Sequence, residues 1–152
     1  MKFLGLGLLC LLGAPAWADL EPFPTLTYQY GNYLLSVVNK LNWYEATTAC
    51  ARYGDSLASI PNQRAQTRIY NAILSSGFQK ILTEPVWTSG SNQANGVQWS
   101  WYSTGNTITY RNFAEAPYSY VYNCLALDAV SGLWRDINCM EKRYFVCEKR
   151  CA

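Results

Sequence analysis

The stretch NWYEATTACARYG, residues 42–54, contains the clearest local structural signal in this sequence. Glu45 stands three residues after Asn42, which is the spacing of a capping box at the start of a helix. Apolar and small side chains then recur at helical spacing, and Gly54 follows as a typical helix end. The stretch therefore predicts an amphipathic helix, with Cys50 among its inward positions.

The segments on either side of this helix have different periodicities. Upstream, TYQYGNYLLSVV (27–38) alternates and is rich in Tyr, Leu and Val, which favours a strand. Downstream, a second helix is predicted from about Asn62 to Ser75, with Ile69 and Ile73 facing inward. The remaining chain contains short strand-like pieces between turns: VWTSG (86–90), VQWSWY (97–102), CLALD (124–128), LWRDI (133–137) and RYFVCE (143–148). Two helices followed by short strands indicate an α+β fold.

The N-terminus has the pattern of a secretory signal peptide. Lys2 precedes the apolar run FLGLGLLCLLG (3–13), and Ala16-Trp17-Ala18 offers small residues at the two positions that signal peptidase reads. The run is too short for a membrane span, which needs about 20 apolar residues. Cleavage is expected before Asp19, which predicts a secreted, extracellular protein without a membrane span.

Length and composition define the domain organisation and exclude several functions. Three segments are predicted: a signal peptide at 1–18, an irregular lead-in at 19–27 and a single domain at 28–152. The chain has no histidine, so the usual general base and the commonest metal ligand are missing, and no acid–base constellation indicates an enzyme. The formal net charge is +2 without a basic block, so nothing indicates a nucleic-acid partner.

Taken together, these residues resemble the C-type lectin-like domain. The matching pieces are NWYEATTAC, SLASI (56–60), VWTSG, WSWYSTG (99–105), NCLAL (123–127), GLWRDINC (132–139) and CMEKRYFVCEK (139–149). Their order and spacing agree with those of the family over about residues 28–149. The motifs VWTSG and WSWYSTG are most similar to those of secreted single-domain lectins of insects. The resemblance implies a short-form C-type lectin-like fold, with two helices, small antiparallel sheets and a long loop region. It also places Trp43, Trp87, Trp99 and Trp134 at core positions of that fold.

The cysteine count is odd once the signal peptide is removed. Five cysteines remain, so at least one has no partner within the chain. The resemblance implies two disulfides, Cys50–Cys147 and Cys124–Cys139. Cys151 is then left over, and we predict that it joins this chain to a second copy or to a different chain. A small-thiol cap on Cys151, or its exchange with Cys147, remains an alternative.

The resemblance also raises the question of calcium, which sugar-binding members of the family hold in this loop region. Calcium takes about six to eight oxygen ligands, several of them charged. The side chains at the matching positions are Ala116, Tyr118, Tyr122, Arg135 and Asp136. Only the last is an acid, so the sequence predicts no metal and no cofactor. The family often has a cis proline where this chain has Pro117.

Three tyrosines take the place of calcium ligands in EAPYSYVYNC (115–124). Tyr118, Tyr120 and Tyr122 stand at alternate positions, so they would face one way if the segment is extended. One interpretation is that they pack onto Tyr110 and Phe113 and replace the rigidity that calcium would supply. The other is that they form an exposed aromatic platform.

The platform interpretation predicts a secreted recognition module that binds an extracellular glycan or protein without calcium. Its candidate ligand-binding residues are Tyr118, Tyr120, Tyr122, Arg135 and Asp136. One alternative is a calcium-dependent carbohydrate-binding lectin with an atypical site. Another is a structural role, as a subunit of a disulfide-linked oligomer or as an ice-binding protein.

Overall fold

The computed structural model describes residues 26–150, so the predicted signal peptide, nearly all of the lead-in and Cys151 lie outside it. Within these residues, helices α1 (Trp43–Arg52) and α2 (Gln63–Ser75) accompany nine short strands. The strands are β1 Thr27–Tyr30, β2 Tyr33–Leu41, β3 Ser56–Leu57, β4 Val86–Ser91, β5 Ser100–Trp101, β6 Asn106–Thr107, β7 Cys124–Leu127, β8 Trp134–Ile137 and β9 Arg143–Glu148. The α+β class is confirmed.

Both helices begin at the residues that the sequence indicates. The side chain of Asn42 accepts a hydrogen bond from the Glu45 amide at 2.9 Å, and the Glu45 carboxylate accepts one from the Asn42 amide at 3.0 Å, which is the predicted capping box. In α2, Ile69 and Ile73 are buried as predicted. No helix in the described part of the chain is long and apolar enough to cross a bilayer.

Two details of the sheet differ from expectation. The segment 27–38 forms a hairpin, because Gly31 adopts a φ of +57° and reverses the chain between β1 and β2. The strands also join into one mixed sheet rather than separate antiparallel sheets, since β4 runs parallel to β9 at the pair Trp87 and Phe145. Strand β9 therefore lies at the centre of the domain and also pairs with β2 and β3.

Two disulfides close the chain in the pairing that the resemblance implied. Cys50 of α1 bonds to Cys147 of β9 across 97 residues, and Cys124 of β7 bonds to Cys139 across 15 residues. By the chain-entropy estimate, a closed loop of these lengths contributes about 5 and about 3 kcal/mol to the free energy of unfolding. The first bridge joins the two halves of the domain, and the second holds the end of the long loop region.

Aromatic side chains fill much of the core, as predicted for large buried rings. The buried tryptophans are Trp43, Trp87, Trp99, Trp101 and Trp134. Trp134 of β8 is completely buried, and its indole N–H donates to the Gln66 side chain of α2 at 2.8 Å. The Gln66 amide in turn donates to the Gly132 carbonyl at 2.7 Å. This buried pair of hydrogen bonds attaches α2 to β8, the strand that carries Arg135 and Asp136.

Candidate ligand-binding site

The three tyrosines lie at the end of the long loop region, directly before β7. We call residues 118–122 the tyrosine loop. Tyr120 has a φ of +62°, a left-handed conformation that is uncommon for any residue with a side chain, and its N–H donates to the Gly96 carbonyl at 2.6 Å. The loop therefore turns at Tyr120 and is not extended. The condition under which alternation would place all three rings on one side, an extended backbone, is therefore not met.

The buried side chain of Asn92 holds the tyrosine loop in place. Its amide donates to the Val121 carbonyl at 2.7 Å and to the Gly96 carbonyl at 3.2 Å, and its oxygen accepts from the Asn123 amide at 2.7 Å. Asn92 has no exposed surface, so these bonds are shielded from water. A single side chain thus bonds to three backbone groups, and the Val121 carbonyl and the Asn123 amide depend on it, since the Gly96 carbonyl also accepts from Tyr120.

Gly96 lets the tyrosine loop approach closely from the other side. A Cβ at this position would lie 2.9 Å from the Tyr120 Cα and 3.2 Å from the Tyr122 ring. Its φ of +74° also lies in the region that favours glycine. Any larger residue would strain the backbone and push the loop away.

The tyrosine rings point into solvent rather than into the core. The exposed fractions are 80% for Tyr118, 74% for Tyr120 and 53% for Tyr122. Tyr110 and Phe113 instead pack edge-on against Trp134, with ring centroids 5.5 and 5.3 Å away. The packing interpretation is therefore wrong, and the loop presents an aromatic surface to solvent, as the platform interpretation requires.

The structure separates the two polar residues that were expected beside the tyrosines. Arg135 and Asp136 are consecutive in β8, so their side chains leave opposite faces of the strand. Asp136 accepts a hydrogen bond at 3.2 Å from Asn123, the residue that follows the tyrosine loop. Arg135 pairs instead with Asp128, beyond the other end of β7, at 3.3 Å. Asp136 is thus linked to the tyrosine loop, whereas Arg135 is directed away from Asn123.

The partner of Arg135 is a fixed carboxylate. Burial alone would raise the pKa of Asp128, but hydrogen bonds from the Ser131 and Val130 amides, together with Arg135, outweigh burial and lower the pKa. Asp128 is therefore ionised at neutral pH and holds the guanidinium group at this position.

The residues at the family's calcium positions do not fit the ion. Ala116 offers no side-chain oxygen, Tyr118 and Tyr122 offer neutral phenols, and Arg135 is a cation in an ion pair. Across residues 26–150, no three or more acidic or cysteine side chains form a group that could hold a metal ion. That part of the chain also contains no cis peptide bond, so the bond before Pro117 is trans, contrary to expectation.

The residues that support the loop are not apparent from the sequence. The composition of SNQANG (91–96) indicates a turn, and Gly96 is a typical turn residue. Nothing in the local pattern shows that Asn92 reaches backbone groups about 30 residues away. The buried position of Gln66 is likewise not apparent, because a polar side chain on a helix is usually exposed.

Comparison with known proteins agrees with this architecture. The family model for the lectin C-type domain matches residues 39–149. The chain is 28% identical to the C-type lectin mosGCTL-7 of Culex quinquefasciatus, over 72% of this chain and 69% of that protein. It is 30% identical to the galactose-specific lectin nattectin of Thalassophryne nattereri, over 72% of this chain and 68% of that protein.

Solved structures with the same fold include human lithostathine, with a TM-score of 0.68 at 25% identity, covering 84% of this chain and 99% of that one. A calcium-independent type II antifreeze protein superposes with a TM-score of 0.61 at 23% identity, covering 83% of this chain and 92% of that one. At 23% identity, the similarity to the antifreeze protein shows a shared fold and does not show a shared function.

The contacts of Asn92 generate a prediction about the loop. Asn92→Ala should lower the free energy of unfolding by about 3 kcal/mol, because the Val121 carbonyl and the Asn123 amide lose their partner in a buried place and the Gly96 carbonyl keeps only its bond from Tyr120. Amide hydrogen exchange at Tyr120 and Asn123 should accelerate more than exchange in β9. Asn106→Ala is the matched control, since this exposed asparagine in β6 makes no side-chain hydrogen bond within residues 26–150. Equal exchange in both variants would contradict the assigned role of Asn92.

Proposed function

This chain belongs to the C-type lectin domain family, and we propose that it is a secreted recognition protein that binds an extracellular glycan or protein without calcium. The observation that carries the proposal is the tyrosine loop, whose rings are exposed on a backbone fixed by Asn92. Binding rather than catalysis is supported by the lectin family match and by the absence of histidine from the chain.

Exposed aromatic side chains on a rigid loop are well suited to recognition. Tyrosine is enriched at binding surfaces, because it contributes a large apolar ring and a hydroxyl while only two side-chain torsions lose freedom. Val121 lies between Tyr120 and Tyr122 in the loop, and Val97 follows Gly96, which lies against both of these tyrosines. Both valine side chains are exposed, and they extend the apolar surface. A surface of this kind can stack on the face of a sugar ring or cover an apolar patch on a protein.

Calcium independence is supported by what replaces the ion. In a calcium-binding loop, the ion would supply both rigidity and a contact for ligand oxygens. Here the side chain of Asn92 fixes the backbone of the loop, and only Asp136 remains as an acid among the matching positions. The Asp136 carboxylate already accepts a hydrogen bond from Asn123.

Secretion is supported by the predicted signal peptide and by the two disulfides. Such bonds form and persist in oxidising compartments such as the extracellular space. One relative, nattectin, is named a galactose-specific lectin, so galactose-terminated glycans are a natural first probe.

We expect calcium to leave the melting temperature unchanged. A ligand that binds only the folded state must raise the melting temperature, by an amount that grows with its concentration relative to its dissociation constant. Melting curves should therefore coincide in millimolar calcium, in chelator and in magnesium, which controls for ionic strength. A rise in calcium that chelator reverses would instead support the calcium-dependent alternative.

Shortening the tyrosines should weaken binding without destabilising the fold. Tyr118→Ala and Tyr120→Ala should each reduce affinity by about tenfold, the effect of losing a central aromatic contact, while the free energy of unfolding stays nearly constant. The measurement is binding to immobilised glycans, including galactose-terminated ones, in calcium and in chelator, followed by denaturant melts. Tyr53→Ala is the control, because this tyrosine is half exposed beside α1 and far along the chain from the loop. A loss of about 3 kcal/mol of stability in both loop variants would contradict the platform.

We also propose that Cys151 forms a disulfide with another chain. The four cysteines of the described bridges are paired with each other, and Cys151 follows directly after Lys149 and Arg150, whose charges favour the reactive thiolate. The secreted protein should run as a dimer on a non-reducing gel, and Cys151→Ser should run as a monomer. A wild type that runs wholly as a monomer, when expressed with its natural neighbours, rules this assembly out.

A further inference from the structure

A polar pocket lies where the start of α2 meets β2 and the end of β9. Its volume is about 350 Å³, and its lining includes Tyr33, Arg64, Arg68 and Glu148. None of its lining residues comes from the long loop region, so the pocket is separate from the tyrosine loop. A pocket of this volume is large enough for one or two sugar residues.

Two cations on the pocket have no charged partner. Arg64 and Arg68 stand one turn apart on α2, and neither forms an ion pair or a side-chain hydrogen bond with any residue in 26–150. The Arg68 guanidinium lies 5.7 Å from the centre of the Tyr33 ring. It also lies so close to Gly31 that a Cβ there would be 3.2 Å from its terminal nitrogen. Arg68 therefore lies over the Tyr33 ring and beside the Gly31 turn.

The first turn of α2 carries a positive charge where helices usually carry a negative one. The amides at a helix N-terminus carry partial positive charge, so acidic side chains are favoured in the first turn. Helix α2 has no acidic residue there and carries Arg64 instead. An anion bound beside Arg64 would remove this unfavourable arrangement, since helix N-termini readily accept anions.

Tyr33 adds a hydroxyl donor to the pocket. Its side chain is only 3% exposed, and its hydroxyl makes no hydrogen bond to a residue within 26–150. The hydroxyl itself is not shielded from solvent, so it is available in the pocket to donate to a ligand. Burial, followed by the charge of Glu148, raises the pKa of Tyr33 although Arg68 lowers it, so the hydroxyl remains a donor at neutral pH.

Glu148 supplies an acceptor and discriminates against a simple anion. It stands opposite Tyr33 across the β2–β9 pair, and its Oε2 accepts from the Ser59 amide at 3.1 Å and the Ser59 hydroxyl at 3.2 Å. Its Oε1 accepts from no residue in the described part of the chain. The carboxylate would repel a bare anion, but a ligand that carries hydroxyl groups beside its anionic group can donate to Oε1.

We propose that this pocket binds a sulfated saccharide, with the sulfate on Arg64, Arg68 and the Tyr33 hydroxyl and a sugar hydroxyl donating to Glu148. Guanidinium groups form paired, charge-assisted hydrogen bonds to such oxyanions. The proposal concerns a site that shares no residue with the tyrosine loop, so it stands independently of the proposed function.

Calorimetric titration of the full chain with a sulfated disaccharide, its desulfated counterpart and inorganic sulfate tests the proposal. The sulfated disaccharide should bind, the desulfated one should bind at least tenfold more weakly, and inorganic sulfate should also bind more weakly because it lacks the hydroxyl for Glu148. Arg64→Gln with Arg68→Gln should reduce affinity at least tenfold. Tyr33→Phe removes only the hydroxyl and should reduce affinity by a smaller factor while keeping the ring under Arg68.

The matched control is Arg52→Gln with Arg111→Gln, which removes the same charge from exposed positions outside the pocket. This control should leave affinity unchanged. The proposal is overturned if the desulfated saccharide binds as well as the sulfated one, or if inorganic sulfate matches the sulfated saccharide. It is also overturned if the control weakens binding as much as the pocket variant, or if a folded Tyr33→Phe binds as the wild type does.

Discussion

The buried indole of Trp134 is the contact on which the arrangement of the long loop region depends. The rings of Trp101, Tyr110 and Phe113 meet it edge-on, at centroid distances of 5.3 to 5.5 Å. Its N–H is satisfied by Gln66 of α2. Each such ring pair contributes about 0.5–1.5 kcal/mol beyond the burial of its area. One side chain thus fixes a strand, a helix and the middle of the loop relative to each other.

This aromatic cluster and the Asn92 contacts act on different parts of the same loop. The cluster fixes residues 99–113, whereas Asn92 fixes the tyrosine loop that follows. Both are interior interactions that exist before any ligand is bound. The tyrosines consequently lose little backbone freedom on binding, which is the general advantage of a preorganised surface.

The parts of the fold that were predicted correctly follow local rules. The capping box at Asn42 and the inward positions Ile69 and Ile73 depend on spacing within one helix. The turn at Tyr120 was not predictable in this way, because residue type gives no sign that a tyrosine adopts a left-handed backbone. The partners of Asn92 lie far along the chain, so only the folded structure brings them together. The disulfide pairing came from the family resemblance, since spacing alone leaves several pairings open.

The way Asn92 holds the tyrosine loop has a consequence for how the recognition surface can change. The Asn92 side chain forms hydrogen bonds to main-chain atoms of residues 96, 121 and 123, and Gly96 meets the main chain at Tyr120. Side-chain identity at Tyr118 and Val121 therefore contributes nothing to these bonds. Because Asn92 and Gly96 support the loop through its main chain, the exposed side chains of the loop are free to vary in sequence. New binding specificities can therefore arise here without changes to the residues that support the loop.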